Sequence, residues 1–164
     1  MITKVVIENF KRFSQQEFTL SESIVLAGPN NAGKSTLLQA LATWSMALER
    51  WRLGKGRVIA DKAGKPKPRT AKMRTGQPVT RKDFTAIPLR EFNLLWNQTL
   101  TALSKAELGS GQKLGEPRLI HITVSGTQGL TQAEPWSLKM ELRYQSTELI
   151  YVGIPGFGWM GFRA

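Results

Sequence analysis

The sequence predicts an α/β fold, and three observations carry that reading. An apolar run at residues 23–27 feeds a glycine-rich loop closing on Lys34, a long helical pattern follows, and alternating apolar and polar residues fill positions 118–152. Between the helix and the alternating region lies a stretch crowded with lysine, arginine, proline and glycine.

The elements follow in order. Residues 3–9, with Val5, Val6 and Ile7, predict a first strand, and residues 18–20 belong to a second. Between them Asn9, Phe10, Lys11, Arg12 and Phe13 form a turn holding two aromatics and two cations. Residues 23–27 (Ser-Ile-Val-Leu-Ala) have the profile of a strand buried on both faces. After Lys34, residues Leu37, Leu38, Leu41, Ala42, Trp44, Ser45 and Leu48 recur at three- and four-residue spacing without glycine or proline until Gly54, which predicts a helix. Pro88 suits the first position of a further helix, with Leu89, Phe92, Leu95 and Trp96 as its apolar stripe. Residues 118–125, 136–144 and 148–152 read as an antiparallel meander, punctuated by Gly126, Gly129 and the run Gln145, Ser146, Thr147.

The loop is the informative motif. Gly28, Pro29, Asn30, Asn31, Ala32, Gly33, Lys34, Ser35 and Thr36 satisfy the pattern G-x-x-x-x-G-K-[ST] between an apolar run and a helix pattern. Its glycines allow the backbone to curl until successive N–H groups face one anion, and the following helix adds the positive end of its dipole. Lys34 is then placed for the β- and γ-phosphates of a nucleotide, and Ser35 for Mg²⁺, with Thr36 steadying the first helical turn.

Composition bounds the remaining possibilities. A chain of 164 residues is enough for one domain with a real core and short for a multi-lobed machine. The sequence contains neither a membrane-spanning apolar run nor an N-terminal secretion pattern, so a cytoplasmic location is expected. It has no cysteine, which excludes disulfides and thiolate metal sites and leaves oxygen ligands for any metal.

Charge is unevenly spread. Twelve of the 23 basic residues, the first Arg50 and the last Lys82, fall within residues 50–82 beside one acid, Asp61, so this stretch carries the whole net charge of +11. Its glycines and prolines and its lack of apolar period predict a flexible basic insertion at 52–82. Two readings stand: an arm that grips the phosphate backbone of DNA, or a solvated loop. No aromatic interleaves the run after Trp51, which argues against base stacking.

Taken together, a strand ending in Asn-Phe-Lys-Arg-Phe, a second strand, and an apolar run entering Gly-Pro-Asn-Asn-Ala-Gly-Lys-Ser-Thr resemble the N-terminal end of the RecF/SMC-type ABC ATPases. That group includes the overcoming-lysogenization-defect nucleases and related AAA-domain ATPases. The specific likeness covers residues 2–48. It implies a P-loop NTPase N-terminal lobe over residues 1–152, bearing the antiparallel β-meander and the basic insertion. It also implies ATP as the nucleotide, Mg²⁺ as its companion, and hydrolysis in a full-length homodimer where a partner's signature loop caps the γ-phosphate. On the same likeness Arg12 or Lys11 approaches the nucleotide. Phe10 and Phe13 are either core anchors of the hairpin or a stacking surface for the base. No guanine-reading Asn-Lys-x-Asp motif is present.

Two parts of that family's hydrolytic machinery are missing from the sequence: an acidic pair ending an apolar strand, and a Ser-Gly-Gly signature. Residues 57–61 (Arg-Val-Ile-Ala-Asp) imitate the first inside the basic stretch, and residues 109–112 (Gly-Ser-Gly-Gln) echo the second before Gly115 and Pro117, which forbid a helix there. Gln128 reads as a hairpin-loop residue. His121, between Ile120 and Ile122, is expected on the exposed strand face without a partner. Residues 153–164 form an irregular glycine and aromatic tail, read either as the product of truncation or a frame change near Val152 or as a tail docked on the domain.

Two functions from different classes follow. One is ATP binding by a Walker A lobe in DNA repair, chromosome maintenance or phage defence, with little hydrolysis by this chain alone. The alternative is a nucleic-acid-binding or regulatory protein with a vestigial phosphate loop and a working basic arm.

Overall fold

A computed structural model describes residues 1–55, 76–107, 115–128 and 134–155. Six strands form one antiparallel sheet: β1 (Ile2–Phe10), β2 (Phe13–Thr19), β3 (Gln77–Thr80), β4 (Ile120–Gln128), β5 (Glu134–Ser146) and β6 (Leu149–Gly153). Their order across the sheet is β2-β1-β4-β5-β6-β3. One long helix, α1 (Lys34–Lys55), packs on it.

Period-two alternation decides which face is dry. Register pairs Val5 with Val124, Ile7 with Ile122, Ile122 with Met140, Ile120 with Leu142, Leu142 with Val152, and Val79 with Ile150, so all these side chains share one face and all are buried. The other face carries Lys4, Glu8, Glu17, His121, Lys139 and Glu141, with an ion pair of 2.7 Å between Lys4 and Glu17.

Helix α1 covers the dry face with Leu37, Ala40, Thr43, Met46 and Ala47. The expected stripe is turned: Leu41, Trp44 and Leu48 are half-buried against the core, but Leu38, Ala42 and Ser45 face solvent. The inward row runs 37, 40, 44, 47 and 51, and a helix of 3.6 residues per turn cannot also bury 38, 42 and 45. Trp44 fixes the helix to β5 by donating Nε1–H to the Leu138 carbonyl at 3.0 Å and packing beside Trp136, ring centroids 6.4 Å apart.

The helix expected after Pro88 does not form. Two short 3₁₀ turns, Phe92–Leu95 and Asn97–Thr99, take its place, yet Phe92, Leu95 and Trp96 are buried as the stripe anticipated. Trp96 lies edge-on to Tyr144 at 5.5 Å and donates Nε1–H to the Arg118 carbonyl at 2.5 Å. These tertiary contacts hold the segment against β5 in a conformation its local spacing does not predict.

The expected strand at residues 23–27 is also absent: this run has no regular secondary structure and Val25 is 91% exposed. Both edges of β1 are occupied by β2 and β4, and the run does not add to either edge strand of the sheet, β2 or β3. Of the span 52–82, residues 52–55 lie on α1 and residues 77–80 form edge strand β3, where Pro78 is tolerated. Residues 56–75, which include the 57–61 imitation of an acidic strand, lie outside the described residues, as do residues 109–112 and 156–164. Strand β2 begins at Phe13, earlier than expected, and the meander of β4, β5 and β6 forms as read.

Candidate functional site

The loop between the unpaired run and α1 takes a shape that only its sequence permits. Gly28, Asn31 and Gly33 adopt φ of +146°, +69° and +94°. Left-handed values are cheap for glycine and tolerable for asparagine, and they turn the chain back on itself. Ala32 N–H donates to the Pro29 carbonyl at 3.2 Å, closing the turn. The Gly33 carbonyl accepts from Leu37 N–H at 3.0 Å, so α1 starts from the loop. No acid occupies the first turn of the helix, leaving the positive end of its dipole uncompensated.

A cavity of about 540 Å³ lies over this helix start, lined by Lys11, Arg12 and residues 30–36, with no carboxylate among them. Gly28 and Pro29 stand behind it, and their carbonyls accept hydrogen bonds from Lys34 Nζ at 2.6 and 2.8 Å. Residues 28–32 and Ser35 are exposed, Lys34 and Thr36 half-buried, and Gly33 buried. The sequence-derived site residues Arg12, Asn30, Asn31, Ala32, Gly33, Lys34, Ser35 and Thr36 therefore meet around one cavity.

The β1–β2 hairpin forms the opposite wall. Phe10 is fully buried, and Phe13 packs on the core edge-to-face with Phe18 at 5.5 Å, its ring also against Gly33. Lys11 is pinned at its backbone: its N–H donates to the Leu95 carbonyl at 2.7 Å and its carbonyl accepts from Asn97 Nδ2 at 2.7 Å. Asn9 Nδ2 donates to the Leu119 carbonyl at 2.9 Å. Asn9 and Lys11 take φ of +58° and +49°, a conformation that these long-range bonds sustain. At its side chain, Lys11 Nζ donates to Gln39 Oε1 at 2.7 Å, and burial lowers the ammonium pKa from its ordinary value.

Asn97 and Gln39 were missed in the sequence. Gln39 sits five residues after Lys34 with no motif to mark it, and Asn97 lies 86 positions from the carbonyl it holds. His121 corrects an expectation: it is half-buried and flanked, with Nδ1 2.8 Å from Glu8 Oε2 and Nε2 3.5 Å from Glu141 Oε2. Its partners come from neighbouring strands, which local sequence does not reveal. Gln128 ends β4 at an exposed position.

The donor set suits a polyphosphate. The start of α1 and three cationic residues, Lys11, Arg12 and Lys34, line one cavity without an opposing acid. Ser35, exposed on the cavity lining, is a hydroxyl residue that would offer an oxygen ligand to a Mg²⁺ bound there. Among the described residues no cluster of three or more His, Asp or Glu side chains is arranged to hold a metal by itself, and no helix is long and apolar enough to cross a membrane.

The family model of an AAA ATPase domain matches residues 1–46, which contain β1, β2, the loop and the first half of α1. The chain is thus similar to AAA ATPases over just over a quarter of its length, in the part that builds the cavity. No curated protein matches the chain.

Proposed function

We propose that this chain binds ATP with Mg²⁺ as the nucleotide-holding lobe of a RecF/SMC-like ABC-type ATPase. The observation that carries the reading is the cavity at the start of α1, lined by the glycine-rich loop, Lys34, Lys11 and Arg12 with no carboxylate among them. The similarity of residues 1–46 to an AAA ATPase domain supports it. Lys34 leaves the carbonyls of Gly28 and Pro29 to meet the β- and γ-phosphates, Arg12 closes from the hairpin, and Ser35 takes Mg²⁺. With no acid in the cavity to orient a water, the chain alone turns over slowly, and hydrolysis belongs to a full-length homodimer acting in DNA repair, chromosome maintenance or phage defence.

The test is a thermal-shift titration with ATP, GTP and ADP in Mg²⁺. ATP raises the midpoint in wild type, since a ligand of the native state stabilises it by RT ln(1 + [L]/Kd). Lys34→Ala removes the shift without lowering the ligand-free midpoint. Wild type unmoved by ATP refutes the reading.

The alternative, a nucleic-acid-binding or regulatory protein whose basic arm is the working part, rests on the concentration of charge in residues 50–82. It requires DNA affinity that falls steeply with salt and that Lys34→Ala leaves unchanged.

A further inference from the structure

Gln39 stands on the second turn of α1, and its side-chain oxygen accepts a hydrogen bond from the ammonium of Lys11 in the hairpin turn. Lys11 lines the cavity together with Arg12 and Lys34, and its backbone is clamped on both sides by Leu95 and Asn97. An ammonium has three protons to donate. One is spent on Gln39 Oε1, a neutral acceptor, and the bond fixes where Nζ sits without cancelling its charge.

We propose that Gln39 is a positioning residue for anion binding: its amide holds the Lys11 ammonium at the rim of the phosphate loop while leaving that charge free for the ligand. This rests on the nucleotide-binding reading above and adds a residue to it. A carboxylate at the same place would grip Lys11 more tightly, because an ionised acceptor makes the stronger bond, but it would neutralise the cation and repel phosphate. The lowered pKa of Lys11 fits this arrangement, since it marks a cation buried without a compensating anion. A purely structural role for Gln39 predicts the reverse preference, with glutamate at least as good as glutamine.

The experiment is calorimetric titration of the full chain with inorganic tripolyphosphate and with MgATP, alongside thermal midpoints of the ligand-free variants. Gln39→Glu is expected to weaken both ligands on the order of tenfold while holding or raising the ligand-free midpoint. Gln39→Met, which keeps the length and removes the acceptor, is expected to weaken them by roughly threefold. In a Lys11→Gln background Gln39→Met loses most of its effect, because it acts through that ammonium, whereas Gln39→Glu keeps the part due to direct repulsion of phosphate. Equal affinity of Gln39→Glu and wild type, or an undiminished Gln39→Met loss in the Lys11→Gln background, overturns the proposal while the loop reading stands. Absence of binding by wild type itself overturns both.

Discussion

A β-carbon on Gly33 would stand 2.5 Å from Cζ of Phe13, closer than packed carbons come, so the hairpin ring rests directly on the bare backbone of the phosphate loop. This contact joins the two walls of the cavity. Gly33→Ala should destabilise the fold by about 1–3 kcal/mol, from the clash and from φ of +94°. In a Phe13→Ala background the penalty should shrink by about 1 kcal/mol, since only the backbone term is left. Urea denaturation of the four proteins measures both, and an equal penalty in the two backgrounds would mean that the ring yields freely.

Glu107 accepts hydrogen bonds from the Ser104 hydroxyl at 2.7 Å and the Ser104 N–H at 3.0 Å, and pairs with the buried guanidinium of Arg118. Ser104 first, then Arg118, hold its carboxyl at about 2, below the ordinary 4.5. A carboxyl whose folded pKa is depressed contributes stability above its unfolded pKa and loses it as pH falls through the folded one. The midpoint of Glu107→Gln should therefore lie below wild type at neutral pH, with the gap closing between pH 4.5 and 2. A gap that persists unchanged to the acid end would assign the effect to packing.

Trp96 is 1% exposed and its indole N–H satisfies the Arg118 carbonyl. Trp96→Phe keeps most of the apolar contact with Tyr144 but strands that carbonyl, and should cost about 1–3 kcal/mol. Chemical denaturation followed by far-ultraviolet circular dichroism reads the change without relying on the lost fluorophore.

Asn97 ties the hairpin tip to the 3₁₀ segment through the Lys11 carbonyl. With Asn97→Ala the strained backbone at Lys11 loses one of its two clamps, so amide exchange at Lys11 and Arg12 should quicken while exchange in β4 and β5 stays slow. Uniform acceleration throughout the sheet would instead indicate global destabilisation.

What could be read ahead of the structure tracks how local each signal is. The alternation of Ile120, Ile122 and Val124 against Trp136, Leu138 and Met140 writes the sheet face into the sequence, because side-chain direction in a strand depends only on parity. The glycines at 28 and 33 likewise announce their positive φ. Less was legible where the outcome depends on distant partners. An apolar run such as residues 24–26 becomes a strand only beside another strand, and Leu38 lies outward because Leu37 and Ala40 already fill the contact with the sheet. The segment after Pro88 kept its apolar positions but not its helix, since Phe84 at 5.3 Å from Phe92, and Tyr144 against Trp96, dictate the backbone. Within the site, Lys34 and Ser35 stand out from their motif, whereas Asn97 and Gln39 matter through whom they touch.

The bare stretch ahead of the loop has a colloidal consequence. Ile24, Val25 and Leu26 are 42%, 91% and 37% exposed, with Leu38 at 59% on the helix start. Apolar, uncharged and lacking a ladder, such a run is sticky toward any open strand edge. Purified alone, the molecule should cloud as its concentration rises, and a single lysine in place of Val25 should keep it clear.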